Sequence, residues 1–360
     1  MKKLFAMILA GTLAAGTLSA CGSTAVVAVP QPETSAPPAS EPTTPAPQTG
    51  ESAGEGAVKT GLYLGTDLSS SKPAADGEDG LAQANINLVA VTISEDGVID
   101  ECVIDAVQSK VNFDAAGAIT TDLSAPVSSK NELGDAYGMK KASSIGKEWN
   151  EQVQALADYV EGKTLDEIRG IAVTEDGKAG EADLASSVTI SIAGYLDAIE
   201  EAAANATYLG AMAGDTLYLT STTSLADSKD ASAEGDGLAQ AYTTAAAITM
   251  NGDTITSCAI DAVQANVNFD TAGAITTDLT APVLTKNQLG DDYGMKKASS
   301  IGKEWYEQAA AFGAYVAGKT PDEVAGLAVT EEGKAGDADL AASVTISIGD
   351  FQALVAKAGT

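Results

Sequence analysis

The chain has 360 residues, 20 Lys+Arg against 50 Asp+Glu, no histidine, three cysteines and a formal charge of −30. The missing histidine excludes a Ser-His-Asp triad, an imidazole-bound zinc and a His-ligated haem. The charge excludes nucleic acid and anionic headgroups as partners, and a single arginine, Arg169, leaves almost no bidentate clamp for phosphate or carboxylate.

The first twenty residues read as a secretory signal. Lys2 and Lys3 precede an apolar stretch at 4–18, followed by Leu18-Ser19-Ala20-Cys21. The stretch is shorter than the ~20 apolar residues of a membrane-spanning helix. The four residues before and at Cys21 resemble a bacterial lipobox, which implies that Cys21 becomes the lipidated first residue of the exported chain. The expected location is the extracytoplasmic face of the cell membrane, with the membrane touched only through the acyl chains. Cleavage removes two lysines and no acid, so the charge becomes −30 − 2 = −32. Residues 21–57 follow as a tether: seven of the eleven prolines lie here among Ser, Thr, Glu and Gly, a composition with too little apolar surface to order itself.

The rest is one unit written twice. Residues 105–192 align with 261–348 at an offset of 156 without a gap, and 66 of the 88 positions are identical. Residues 80–84 recur as 237–241. Two domains are expected, at 58–205 and 206–360. Each begins with a short strand (62–65 in the first), then a hairpin: 86–94 and 98–106 around Glu95-Asp96-Gly97, and 245–250 and 254–262 around Asn251-Gly252-Asp253. A helix is expected at 143–161 and 299–317. A shorter one opens on the capping boxes Thr164-Leu165-Asp166-Glu167 and Thr320-Pro321-Asp322-Glu323. A last helix is expected at 193–203 and 350–358. This mixed order indicates an α+β fold, an antiparallel sheet with packed helices in each repeat. Cys102 and Cys258 hold the same place in separate repeats, so they read as two small buried hydrophobes and not as a disulfide.

The candidate chemistry lies before each last helix. The segments read Asp183-Leu184-Ala185-Ser186-Ser187-Val188-Thr189-Ile190-Ser191 and Asp339-Leu340-Ala341-Ala342-Ser343-Val344-Thr345-Ile346-Ser347. They resemble the flavin-attachment motif D-x-x-[ST]-G-A-T-x-[ST] of the FMN-binding domain family. Ser187 and Ser343 stand where the family has Gly, Val188 and Val344 where it has Ala, and Ser186 becomes Ala342 in the second copy. The doubled arrangement behind a lipidated tether is similar to the two-domain FMN-binding lipoproteins of extracellular electron transfer.

The resemblance implies two FMN groups, each joined through its phosphate to the hydroxyl of Thr189 or Thr345 by a flavin transferase. It also implies electrons arriving from a membrane quinone-linked dehydrogenase and leaving to ferric iron or soluble flavin. A threonine there is expected to cap the last helix, with the phosphoester at the positive end of its dipole. Read from the residues alone, the same segment is equally a β-branched core strand. The rival functions are a ligand- or cation-binding surface lipoprotein without redox activity and a passive surface spacer.

A second block, residues 138–149, recurs unchanged as 294–305. It carries Lys140, Lys141 and Lys147, which suit either an anion or an ordinary solvated face. Tyr137, Tyr293, Met139 and Met295 are expected to pack rather than stack on a flavin. Asp114, Asp270, Asp122 and Asp278 lack the spacing of a calcium loop and read as turn residues, and no metal site is expected.

Overall fold

The structure is a computed structural model that describes residues 54, 56–75 and 77–359. Cys21, the signal and most of the tether lie outside the described residues.

Six long strands carry the fold. The first sheet orders β1 (Lys59–Asp67), β2 (Gly80–Ile93) and β3 (Ile99–Phe113) as an antiparallel meander. The second orders β4 (Thr216–Ser224), β5 (Gly237–Asn251) and β6 (Thr254–Phe269) in the same way. The register matches across the copies: Gly80 pairs with Phe113 and Gly237 with Phe269, and a bulge falls at Thr92/Ile93 and at Thr249/Met250. The hairpins therefore run well beyond the alternating runs that mark them in the sequence. Their Gly-, Ala-, Gln- and Asn-rich ends are weak strand formers, held in place by ladder bonds and packing.

The helices are α1 (Lys130–Leu133), α2 (Trp149–Val160), α3 (Leu165–Arg169), α4 (Ala182–Ala185) and α5 (Ala193–Ala204) in the first repeat. In the second they are α6 (Lys286–Leu289), α7 (Trp305–Val316), α8 (Pro321–Ala325), α9 (Ala338–Ala341) and α10 (Gly349–Lys357). The fold is α+β. Both capping boxes form, with Thr164 accepting from Glu167 N and Thr320 from Glu323 N. The long helix starts six residues later than the sequence suggests. Buried Glu148 and Glu304 stand at its N-terminus, and residues 143–148 and 299–304 form turns instead.

Strand alternation decides the packing. In β2, Val89, Val91 and Ile93 face α2 and α5, whereas Ile86, Leu88 and Ala90 face the other sheet. The second repeat repeats this with α7 and α10 on its outer side. Each sheet is thus apolar on both faces, and the two inner faces form one core between the copies.

Phe113 and Phe269 stack across its centre, with ring centroids 4.0 Å apart and planes 5° from parallel, both fully buried. Gly80 and Gly237 are required beneath them, because a Cβ there would lie 2.3 or 2.4 Å from a ring carbon. Elsewhere the shared core is lined by small residues. Ala82, Ala84, Ser109, Ala239, Ala241 and Ala265, with Val111 and Val267, line a small cleft there that opens to solvent.

Polar links also cross between the copies. Ala74 N donates to Gly273 O (2.9 Å) and Ala231 N to Gly117 O (2.8 Å). A run of hydroxyls joins Thr60, Ser257, Thr249 and Thr256 at 2.7 Å each and ends on the carboxylate of buried Asp215. Asp215 can only accept from Thr256, which orients every donor in the run towards it. Gly56 and Ala57 pair with residues 212–213 of the connection between the copies, so the folded part begins inside the stretch read as tether. The described residues form one compact unit, and the copies expected as two domains share a core. Cys102 and Cys258 are buried free thiols. Among the described residues no helix is long and apolar enough to cross a membrane.

The shared core predicts joint unfolding. Each repeat holds one tryptophan, so Trp149→Phe and Trp305→Phe chains each report on the other copy alone. Fluorescence-detected urea curves of the two chains are expected to coincide. Phe113→Ala is expected to cost about 3–5 kcal/mol and to lower both midpoints together. Separate midpoints would show that the copies fold independently.

Candidate functional site

The two blocks singled out in each repeat meet at one side chain. Gln152 sits on the buried stripe of α2 beside Trp149, Val153, Leu156 and Val160, and is fully buried. Its Oε1 accepts from Thr189 N (2.8 Å), Thr189 Oγ1 (3.1 Å) and Ile190 N (3.3 Å). Its Nε2 donates to Ser143 Oγ (3.3 Å) and Lys147 O (3.2 Å). The amide orientation is fixed, because two backbone N–H groups face one end and a backbone carbonyl faces the other.

Gln308 repeats the arrangement with Thr345 N (2.8 Å), Thr345 Oγ1 (3.1 Å) and Ile346 N (3.3 Å), and donates to Ser299 Oγ and Lys303 O. The lysine-bearing loop and the threonine segment are therefore tied together through the core.

The loop is itself pinned. Glu148 accepts from Met139 N and Lys140 N at 2.8 Å each, and Glu304 does the same for Met295 and Lys296. Gly138 and Gly294, with φ of 79° and 78°, turn the chain into it in the left-handed region. Lys140 and Lys141 stay exposed and Lys147 is half-buried. Tyr137, Met139, Tyr293 and Met295 pack on the core.

The threonine segments are neither strands nor helix starts. Asp183 and Asp339 are exposed in the first turns of α4 and α9. Exposed Ser186 donates to Asp183 O (2.7 Å), and half-buried Ser187 and Ser343 donate to Leu184 O and Leu340 O (3.2 Å each). Leu184 and Val188, each 1% exposed, anchor the segment and leave Thr189 half-buried between them and α5.

The capping role expected of the threonine does not occur. Residue Ile192 precedes α5 without a side-chain cap, and the Thr189 hydroxyl is taken by Gln152. The N–H groups of Thr189 and Ile190 are likewise already bonded, so the segment offers no open helix end to an anion. Ala342 removes only the local bond that Ser186 makes, and the contacts of Thr345 match those of Thr189.

A second grip lies seven residues along the same helix, hence on the same face. Tyr159 OH donates to Glu181 Oε2 (2.5 Å) at the entrance to α4, under the Lys163 ammonium 4.2 Å from its ring. That bond, ahead of burial and the carboxylate's charge, raises the Tyr159 pKa. Lys319 lies likewise over Tyr315, beside Asp337.

The copies differ one turn away from the glutamine. Lys130 lies over the rings of Trp149 (4.8 Å) and Tyr137 (4.9 Å) and is half-buried. Lys286 lies over Trp305 and Tyr293 (4.8 Å each) and Tyr242 (4.5 Å), donates to Tyr242 OH (2.8 Å), and is only 5% exposed. Tyr242 replaces Asn85 and closes this cage. Burial lowers the Lys286 ammonium to about 8 against the pull of Asp261 and Asp350.

Behind the cage, Asp261 accepts from Ala262 N (2.7 Å) and Asn287 N (3.0 Å) and fixes α6 to the sheet. Burial outweighs those bonds and pushes its carboxyl up to about 6. Asp105 holds α1 in the same way.

Gln152, Gln308, Lys130 and Lys286 escape sequence reading that looks for motifs. One signal was present: an identical glutamine interrupts the apolar stripe of the long helix in both copies. The aspartates that lack calcium-loop spacing are turn residues. Asp114 accepts from Ala116 N and Ala118 N, and Asp122 from Ser124. Among the described residues no group of three or more His, Cys, Asp or Glu could hold a metal.

No protein-family model matches the chain, and no solved structure does. A stretch of 40 residues is 50% identical to a chlorophenol reductase of Desulfitobacterium hafniense. It covers 11% of this chain and 12% of that protein.

The buried carboxyl sets a pH dependence. Because its native pKa is raised, Asp261 adds stability below its unfolded pKa near 4, and this is lost as pH rises through about 6. Asp261→Asn keeps the accepting oxygen and removes the titration. Urea unfolding between pH 4 and 7 is expected to show the wild type losing about 2 kcal/mol relative to the variant. Parallel profiles would refute the burial.

Proposed function

We propose that this protein is a lipid-anchored, extracytoplasmic electron carrier with two covalently bound FMN groups, on Thr189 and Thr345. The observation that supports this most is the threonine geometry. At the position the flavin-attachment motif assigns, each copy presents a half-buried hydroxyl whose backbone is fixed through a buried glutamine.

The residues suit such a group. A phosphoester on Oγ1 leaves solvent access and sacrifices one of the three bonds to Gln152 Oε1, since the two backbone donors remain. The loop tied to the same glutamine carries Lys140, Lys141 and Lys147, or Lys296, Lys297 and Lys303, the cations that would offset a phosphate there. The hydroxyl faces an amide carbonyl, which is too weak a base to remove its proton, so attachment calls for a separate flavin transferase. When bound, the flavin supplies one- and two-electron chemistry.

The chain's own part is to fix the attachment points on a single rigid unit and to surround them with acidic surface. The donor in this reading is a membrane quinone-linked dehydrogenase, and the acceptor is ferric iron or soluble flavin. A strongly negative carrier attracts cationic acceptors at a salt-sensitive rate.

The deciding experiment exports the chain with and without a flavin transferase and records its intact mass and visible spectrum. The expected product is yellow and heavier by two FMN phosphoester units, falling to one with either Thr189→Ala or Thr345→Ala. A colourless product of unchanged mass beside an active transferase refutes the reading and favours a binding lipoprotein. With the flavinylated chain, reduction of a cationic ferric complex is expected to slow as salt is added. A rate indifferent to salt removes the electrostatic part.

A further inference from the structure

We propose that Gln152 and Gln308 are positioning residues that select Thr189 and Thr345, among the hydroxyls of their segments, for phosphoester attachment. This assignment rests on the flavin reading above.

Each segment offers several candidates to an incoming phosphorus. In the first copy Ser186, Ser187, Thr189 and Ser191 all carry hydroxyls within six residues, and Ser186 and Ser191 are more exposed than Thr189. Exposure alone would favour the serines. Their bonds differ from that of the threonine. Ser186, Ser187 and Ser191 donate to the backbone carbonyls of Asp183, Leu184 and Gly177, atoms of their own or adjoining turns. Thr189 alone donates to a side chain that also holds its own N–H and that of the next residue. The Gln152 carbonyl therefore fixes backbone and hydroxyl together, and leaves both lone pairs of the hydroxyl oxygen free of protein donors. Gln308 does the same for Thr345, with distances that agree to 0.1 Å across both ends of the amide.

The glutamine also sets the approach. Through Ser143 Oγ and Lys147 O its other end holds the loop that carries the lysines. The hydroxyl and the backbone of the lysine-bearing loop are thereby kept in one arrangement. In the transfer, the threonine oxygen attacks the flavin-side phosphorus of a pyrophosphate-linked flavin dinucleotide. The O–P bond forms as the pyrophosphate P–O bond breaks, the nucleoside monophosphate leaves, and the hydroxyl proton passes to a base of the transferase. Gln152 takes no proton. It lowers the cost of placing the nucleophile, as an ordered near-attack geometry does.

The chain supplies its own reference, because one glutamine can be altered while the other site stays intact. Gln152→Met keeps the side-chain length and removes all five hydrogen bonds. Gln152→Glu keeps an oxygen for the three donors and loses the bond to Lys147 O, while the Ser143 hydroxyl can turn to donate to its second oxygen. Purified chain is treated with a flavin transferase and FAD, and the peptides containing residues 189 and 345 are followed by mass over time. In Gln152→Met, attachment at Thr189 is expected to slow about tenfold relative to Thr345 of the same chain. Some flavin is expected to appear on Ser186, Ser187 or Ser191. Gln152→Glu is expected to recover part of the rate at Thr189.

Before any flavin is added, the Ile190 amide of Gln152→Met is expected to exchange its hydrogen about tenfold faster than in the wild type, with Ile346 unchanged. Normal loading of Thr345 shows that the variant has folded. Equal rates at both threonines, or unaltered exchange at Ile190, overturns the assignment and leaves the flavin reading standing. Absence of flavin from both threonines of the unaltered chain overturns the two together.

Discussion

Everything else in this molecule depends on a sheet that must be covered on both sides. β2 and β5 are apolar at even and odd positions alike, so helices on one face leave an equal apolar surface on the other. The cheapest cover is a second copy of the same surface, since identical residues bring matching shape. Duplication supplies it within one chain. Stacked Phe113 and Phe269 and the glycines beneath them are the point where the two copies interlock.

That seam also explains what each outer face is free to do. With the inner faces fixed, the helices α2, α5, α7 and α10 rest on rigid sheets, and rigidity reaches the threonine segments through single side chains. Gln152 and Tyr159 hold the α4 segment from one helix face, and Gln308 and Tyr315 hold its counterpart. A buried amide with every donor and acceptor engaged is a demanding component, because any displacement leaves an unpaired group in an apolar core. The segments lack regular secondary structure yet have one defined conformation for this reason.

The copies have diverged around these segments and, within them, only where Ser186 becomes Ala342. Tyr242 in place of Asn85 buries Lys286 in a cage of three rings, while Lys130 keeps two rings and partial exposure. Phe351 in place of Tyr195 changes which element brings a hydroxyl to the neighbourhood. Such changes alter the local electrostatics around two otherwise matching segments.

Local chemistry was legible in the residues. The α+β class, the hairpin turns, both capping boxes, the last helices and the internal repeat follow from periodicity, turn residues and self-comparison, which need no knowledge of distant contacts. Strand ends and the start of the long helix were not legible, because residues 143–148 are held in turns by the bonds of Gln152 to Ser143 and Lys147, a partner that helical propensity does not show. The threonine motif was visible, but its hydroxyl's partner lies 37 residues away, and the linkage between the motif and the lysine loop exists only once α2 packs. The union of the copies in one core was equally hidden, since an apolar run shows that a face must be buried and not by what. Sequence alone thus determined which groups are present and which segments repeat; tertiary structure decided which of them touch, because burial and hydrogen bonding are satisfied between segments far apart in the chain.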